Sequence, residues 1–204
     1  MDTLSFHREK SYDAFLRILH WLLVLCIIFL FATELTAEAL PKGEIRTAVW
    51  HGHVFCGYAL AFTLALRLVW GFIGPRHARW SDFWHPSAWR NFLATRVRPE
   101  NTGFGHDPLA SLAHLGLYAI LFGMVGTGFM AAAGWFDLGP LSGQGITKDM
   151  ARPFKEVHEL VSNLILAFVL VHIGALIFHE KKGPPMAQAM VSGWQYRPTD
   201  KKGN

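Results

Sequence analysis

The chain has 204 residues, of which 51% are hydrophobic and 17% charged, with a formal net charge of +4 and two cysteines. Its positive mean hydropathy and its four blocks of residues that are apolar nearly all round exclude an ordinary soluble domain, whose apolar residues would alternate so that each element buries one face. No basic cluster sits on a soluble face, which excludes nucleic acid as a partner.

The blocks are Ala14–Thr33, Val49–Ile73, Leu109–Ala133 and Val157–Phe178. A membrane-crossing helix needs about 20 apolar residues, so each block is long enough to span. The expectation is an all-α integral membrane protein, one four-helix bundle over residues 1–204, with lipid as its surroundings. The first block follows a short basic start (Arg8, Lys10, Arg17), but no small-residue A-x-A site closes it. It reads as a retained helix and not as a cleaved signal. Between the second and third blocks, Trp89, Phe92, Leu93 and Val97 fall at helical spacing beside Arg90 and Arg96. Pro86 is a start signal and Pro99 a stop, so a short amphipathic helix is expected over about 87–97 on the membrane surface. The loop over 134–156 is rich in Gly and is expected to be irregular or a short surface helix, and the tail after Gly183 is expected to be extended.

Orientation follows from Lys and Arg. The N-terminal segment (Arg8, Lys10, Arg17), the second loop (Arg76, Arg79, Arg90, Arg96, Arg98) and the tail (Lys181, Lys182, Arg197, Lys201, Lys202) hold thirteen of the nineteen. The other two loops hold Lys42, Arg46, Lys148, Arg152 and Lys155. The positive-inside bias therefore puts both termini in the cytoplasm, in a multi-pass protein of a bacterial inner membrane.

Depth sorts the eleven histidines. His7, His77, His85, His106 and His179 lie in loops or at helix ends and need no special account. His20, His51, His53, His114, His158 and His172 lie in or at the mouths of apolar blocks, where an ionisable side chain is a functional hypothesis. His158 and His172 are fourteen residues apart, a rise of about 21 Å with nearly four whole turns between them, so both rings face the same way. Counting from the membrane faces pairs His20 with His172 on the cytoplasmic side, and His53 or His51 with His158 on the outer side. Opposed imidazoles at two depths are what two bis-histidine haems require, and helix bundles build cofactor sites from such inward side chains. The same residues can instead hydrogen-bond helices together. His51 and His53 lie about 200° apart around the helix, so only one faces the core. His53 is favoured because Gly57, one turn on, leaves room for the edge of a flat macrocycle, and His51 is the lower-ranked alternative. His114 shares the cytoplasmic depth as a partner of a propionate or quinone, or as a competing ligand. Arg17 and Arg67 can neutralise a propionate at that face. Cys26 and Cys56 form no CxxCH motif, so covalent c-type attachment is excluded and a disulfide is not expected.

These residues resemble the bacterial di-haem b-type cytochromes of the cytochrome b561 superfamily, in the branch of the nickel–iron hydrogenase b subunits. The marks are "RILHW" in the first block, "HVFCGYALAFTLALRLVWGFIGPRHAR" through the second, "GHDPLA" before the third and "HELVSNLILAFVLVH" in the fourth. The family's helix 1 ligand falls on His20, its His-x-x-x-Gly pattern on His53 and Gly57, and its histidine pair on His158 and His172. The resemblance implies two haem b groups and electron transfer between quinone and an outer-side redox protein, whether a c-type cytochrome, a hydrogenase or another dehydrogenase. It also admits a quinone-linked oxidase of a small species such as superoxide, for which Lys148, Arg152 and Lys155 would supply outer-side charge. A reading from another class is a haem-free anchor or transporter. Whether the chain acts alone or as a homodimer is open.

Overall fold

The computed structural model describes residues 6–97, 108–182 and 187–198. Arg98, Pro99, His106, Lys201 and Lys202 lie outside the described residues. In chain order the elements are β1 (Phe6–Lys10), α1 (Ala14–Ala39), α2 (Glu44–Ile73), α3 (Pro86–Thr95), α4 (Pro108–Phe136), α5 (Lys148–Lys182), α6 (Gln188–Ser192) and β2 (Trp194–Pro198), with two single 3-10 turns between α2 and α3. Among the described residues, α1, α2, α4 and α5 are long and apolar enough to cross a membrane. They form two hairpins, α1 on α2 and α4 on α5, which meet along α2 and α4.

Each spanning helix outruns its apolar block. The first was expected to end near 33 and runs to Ala39, and the second was expected from 49 and starts at Glu44. The third, expected at 109–133, covers Pro108–Phe136. The largest correction is the fourth, expected at 157–178, which begins at Lys148 and continues to Lys182 with Pro153 inside its first turns. Hydropathy marks where lipid touches a helix, whereas Glu, Lys and Ala hold helical backbone well into water. The residues 148–156, expected to be irregular or a short surface helix, are therefore helical and continuous with the span. The amphipathic helix expected at 87–97 is α3, with Pro86 at its first position and Arg96 at its C-cap with φ 58°.

The tail departs furthest from an extended segment. It forms α6 and then β2, which pairs antiparallel with β1, Phe6 opposite Pro198 and Lys10 opposite Trp194. An all-α membrane bundle thus carries a two-stranded ribbon made by its own ends. Gly193 (φ 84°) makes the turn, its carbonyl accepting from the backbone of Ser11 and Tyr12 at 2.9 and 3.2 Å. Trp21 donates to Met190 O at 3.0 Å and Arg17 donates to Val191 O, so the cap is tied to the start of α1.

Asp13 begins α1 by accepting from Leu16 N at 2.9 Å, which satisfies one of the backbone donors a helix leaves open at its start. Trp70 donates to the same carboxylate at 3.4 Å, and the Asp13 backbone N–H donates to His77 Nε2 at 3.1 Å. His77, unremarkable in sequence, thereby ties the loop after α2 to the start of α1. The core is narrow. Leu64, Leu121 and Ile165 are buried at its centre, with Ile27 and Phe31 of α1 packed against them. Many other large apolar residues, such as Leu25, Phe62 and Leu170, face outward, as expected of a bundle bathed in lipid.

Candidate functional site

Seven residues separate Ile165 from His158 on one side and from His172 on the other, so the apolar centre lies between two levels of imidazoles. At the level expected to face outward, α2 supplies His53 and α5 supplies His158, with ring centres 6.5 Å apart and planes at 69°. His53 Nδ1 lies 3.2 Å from Leu30 O and 3.1 Å from Thr33 Oγ1 of α1. His158 Nδ1 lies 3.2 Å from Met124 O and 3.1 Å from Thr127 Oγ1 of α4. A carbonyl oxygen can only accept, so each Nδ1 carries the proton. That leaves the Nε2 lone pair of each neutral ring free to bind a metal.

The spacing suits such an ion. With metal–nitrogen bonds of about 2.0 Å and about 1.1 Å from ring nitrogen to ring centre, an ion midway between two imidazoles sets their centres about 6.2 Å apart. Among the described residues no group of three or more His, Cys, Asp or Glu side chains could hold a metal. Paired ligands suit an iron whose remaining positions are filled by a flat macrocycle. A methyl group added at Gly57 would meet nothing within 4 Å, so there is open space one turn below His53. Gly128 abuts the opposing histidine, since a Cβ there would lie 3.1 Å from His158 Cε1.

The inner level gathers three imidazoles. His114 of α4 and His172 of α5 have ring centres 6.1 Å apart at 90°. His20 of α1 lies within electrostatic range of both. His114 Nδ1 is 2.6 Å from Ala110 O of its own helix, while Phe168 stacks on His172 at 6.1 Å and 11°. Beside them, Arg67 of α2 is only 2% exposed. Its Nε donates to Tyr118 OH at 3.0 Å, and its guanidinium lies 4.5 Å from the centre of the Trp80 ring, a cation–π contact. Its Nη1 is buried and, among the described residues, meets no acceptor. A buried donor left unmade costs about 1–3 kcal/mol, more on a charged group. An anionic or carbonyl oxygen reaching this nitrogen would remove that cost.

The remaining candidates fall elsewhere. His51 packs edge-on to Phe136 at 5.5 Å and lines an open hollow with Gly43, Glu44, Thr47 and Ala48. Arg17 serves the terminal cap through Val191. Lys155 pairs with Glu159 one turn on, so its charge is already partnered. Cys26 and Cys56 are free thiols, and Cys56 Sγ points at Cys26 O at 3.7 Å. Sequence reasoning missed Thr33, Thr127, Trp80 and Tyr118. Threonines back-bonded to their own helix are common in apolar segments, and nothing in the sequence singles these two out.

Comparison with known proteins adds a second line. A family model described as prokaryotic cytochrome b561 matches residues 11–193. The chain is 30% identical over 138 residues to a probable Ni/Fe-hydrogenase 1 B-type cytochrome subunit of Escherichia coli, a match covering 58% of this chain and 57% of that protein. It is 26% identical to the probable Ni/Fe-hydrogenase B-type cytochrome subunit of Azotobacter vinelandii, over 90% of this chain and 87% of the relative. The Rhodobacter capsulatus protein of the same description is 25% identical, over 94% and 84%.

Proposed function

The chain belongs to the prokaryotic cytochrome b561 family, and from that premise we propose that it is an electron carrier of the bacterial inner membrane, holding two b-type haems and linking an outer-side redox protein to the quinone pool. When bound, such haems supply reversible one-electron iron chemistry. His53 and His158 would hold the outer group, and His20 and His172 the inner one. With two protein ligands given to each haem, the chemistry supplied would be electron transfer and not oxygen binding. Arg67 offers its unpartnered Nη1 to an inner propionate or to the carbonyl of a quinone. His114, one turn from Tyr118 on α4, is the residue we assign to hold or move a proton at that inner site. The relatives' descriptions as hydrogenase B-type cytochrome subunits favour a hydrogenase or another dehydrogenase as the outer partner, with a c-type cytochrome as the remaining candidate.

One observation carries this reading. Two histidines from different helices have their Nδ1 protons committed to backbone carbonyls and their rings 6.5 Å apart. Each Nδ1–H is taken up by a carbonyl and a threonine hydroxyl of the neighbouring helix, so the Nε2 lone pairs are what this opposed pair of rings has left to bind a metal. The test is a pyridine-haemochrome spectrum of the purified full-length protein, with haem measured against protein. Two haem b per chain is expected. A colourless preparation would point to a haem-free anchor and end the proposal.

A further inference from the structure

We infer that Thr33 and Thr127 are positioning residues that set the reduction potential of the outer haem through His53 and His158. The inference rests on the reading of those histidines as an axial pair.

Each threonine has a single hydroxyl proton, and each is within donor distance of its own helix. Thr33 Oγ1 lies 2.9 Å from both Phe29 O and Leu30 O. Thr127 Oγ1 lies 2.9 Å from Gly123 O and 3.1 Å from Met124 O. With that proton turned inward, the oxygen lone pair is what faces the histidine. The Nδ1–H of His53 therefore has two acceptors, Thr33 Oγ1 and Leu30 O, and that of His158 has Thr127 Oγ1 and Met124 O. Back-bonding alone needs no imidazole on a second helix. The same unit nonetheless occurs twice: a threonine, the carbonyl three residues before it, and a histidine from the following helix of the hairpin. The chain separations differ, at 20 and 31 residues, so helix packing and not a local motif creates the repeat.

A doubly accepted Nδ1–H makes its imidazole a more basic ligand. A more basic axial pair favours ferric over ferrous iron and holds the potential down. Among the described residues, neither His20 nor His172 has a ring nitrogen tied to a threonine or a carbonyl. The asymmetry sets the outer haem below the inner one and makes the inward step downhill for an electron.

The test is a potentiometric titration of the full-length protein in detergent, with His53→Ala used to identify the outer haem's signal. Thr33→Val preserves shape and removes the acceptor while Leu30 O remains, so a partial effect is expected. The ferrous-to-ferric ratio of the outer haem at fixed potential should rise about threefold, or about 28 mV upward at 59 mV per tenfold for one electron. Thr127→Val should do the same, the double variant about ninefold, and the inner haem should not move. Thr33→Ser keeps the hydroxyl and should return the wild-type value. An unshifted outer midpoint, an equal shift of the inner one, or failure of serine to restore overturns the inference. So does loss of the outer haem from the valine variant, which would make the threonine a holding group. Absence of haem from the wild type would instead sink the parent reading.

Discussion

His158 and His172 sit on one helix, yet their surroundings differ. His158 is half-buried, faces His53 and is held by α4 through Met124 and Thr127. His172 is exposed on α5 and approached by His114. Separate environments predict separable losses. His158→Ala should lower haem content from two per chain to one and spare the inner haem, and His172→Ala should do the reverse. The pyridine-haemochrome ratio with low-temperature α-band spectra of each variant decides, and loss of both haems from a folded single variant would contradict two independent levels. A second prediction concerns packing. A Cβ at Gly71 would lie 2.0–2.5 Å from the Trp80 indole, whose Nε1 donates to Leu68 O at 3.0 Å and whose face covers Arg67. Gly71→Ala must push that ring away. A loss of about 1–3 kcal/mol is expected, as for other overpacked sites, seen as a lower Tm in detergent with the indole fluorescence changed.

At the scale of elements, the sequence exposes what lipid demands and hides what water permits. Four apolar blocks had to span, because backbone in hydrocarbon must bond within itself. Where each helix stops is decided in the aqueous layer, and so the first nine residues of α5 read as irregular structure or a separate surface helix, not as part of the span. The ribbon left no signature. "FHREK" lacks an alternating apolar pattern and the alternation in "WQYRP" spans only five residues, so their pairing is set by α1 and α5 returning to the same side. Gly193 is the hinge of that closure. With φ at 84° and Tyr12 O 2.7 Å from any added Cβ, alanine there pays the left-handed penalty of about 1–2 kcal/mol and also meets backbone. Gly193→Ala should open the terminal cap about 5–30-fold more often, measured as faster protease cleavage of the C-terminal segment, with the His53–His158 level undisturbed because the cap touches neither residue.

For the whole molecule, spacing revealed the layers but not the angles around them. The fourteen-residue interval of His158 and His172 shows that two depths exist. That His114 and His20 both approach His172 depends on how two hairpins meet along α2 and α4, and Arg67's aromatic box depends on a loop folding back to bring Trp80 over it. Orientation in the membrane can be argued from the chain and the fold together. The pairing of β1 with β2 puts both ends on one side of the bundle, as four crossings require. Ten of the sixteen Lys and Arg among the described residues fall on that same side, and moving them across the bilayer opposes the bias that sets topology. A green fluorescent protein fused after Asn204 should therefore fluoresce, and alkaline phosphatase fused there should be inactive. Phosphatase fused within the turn at Gly143, between α4 and α5, should be active. The reverse pattern would put the His53–His158 level against the cytoplasm, and the donor would then have to meet the chain from inside the cell.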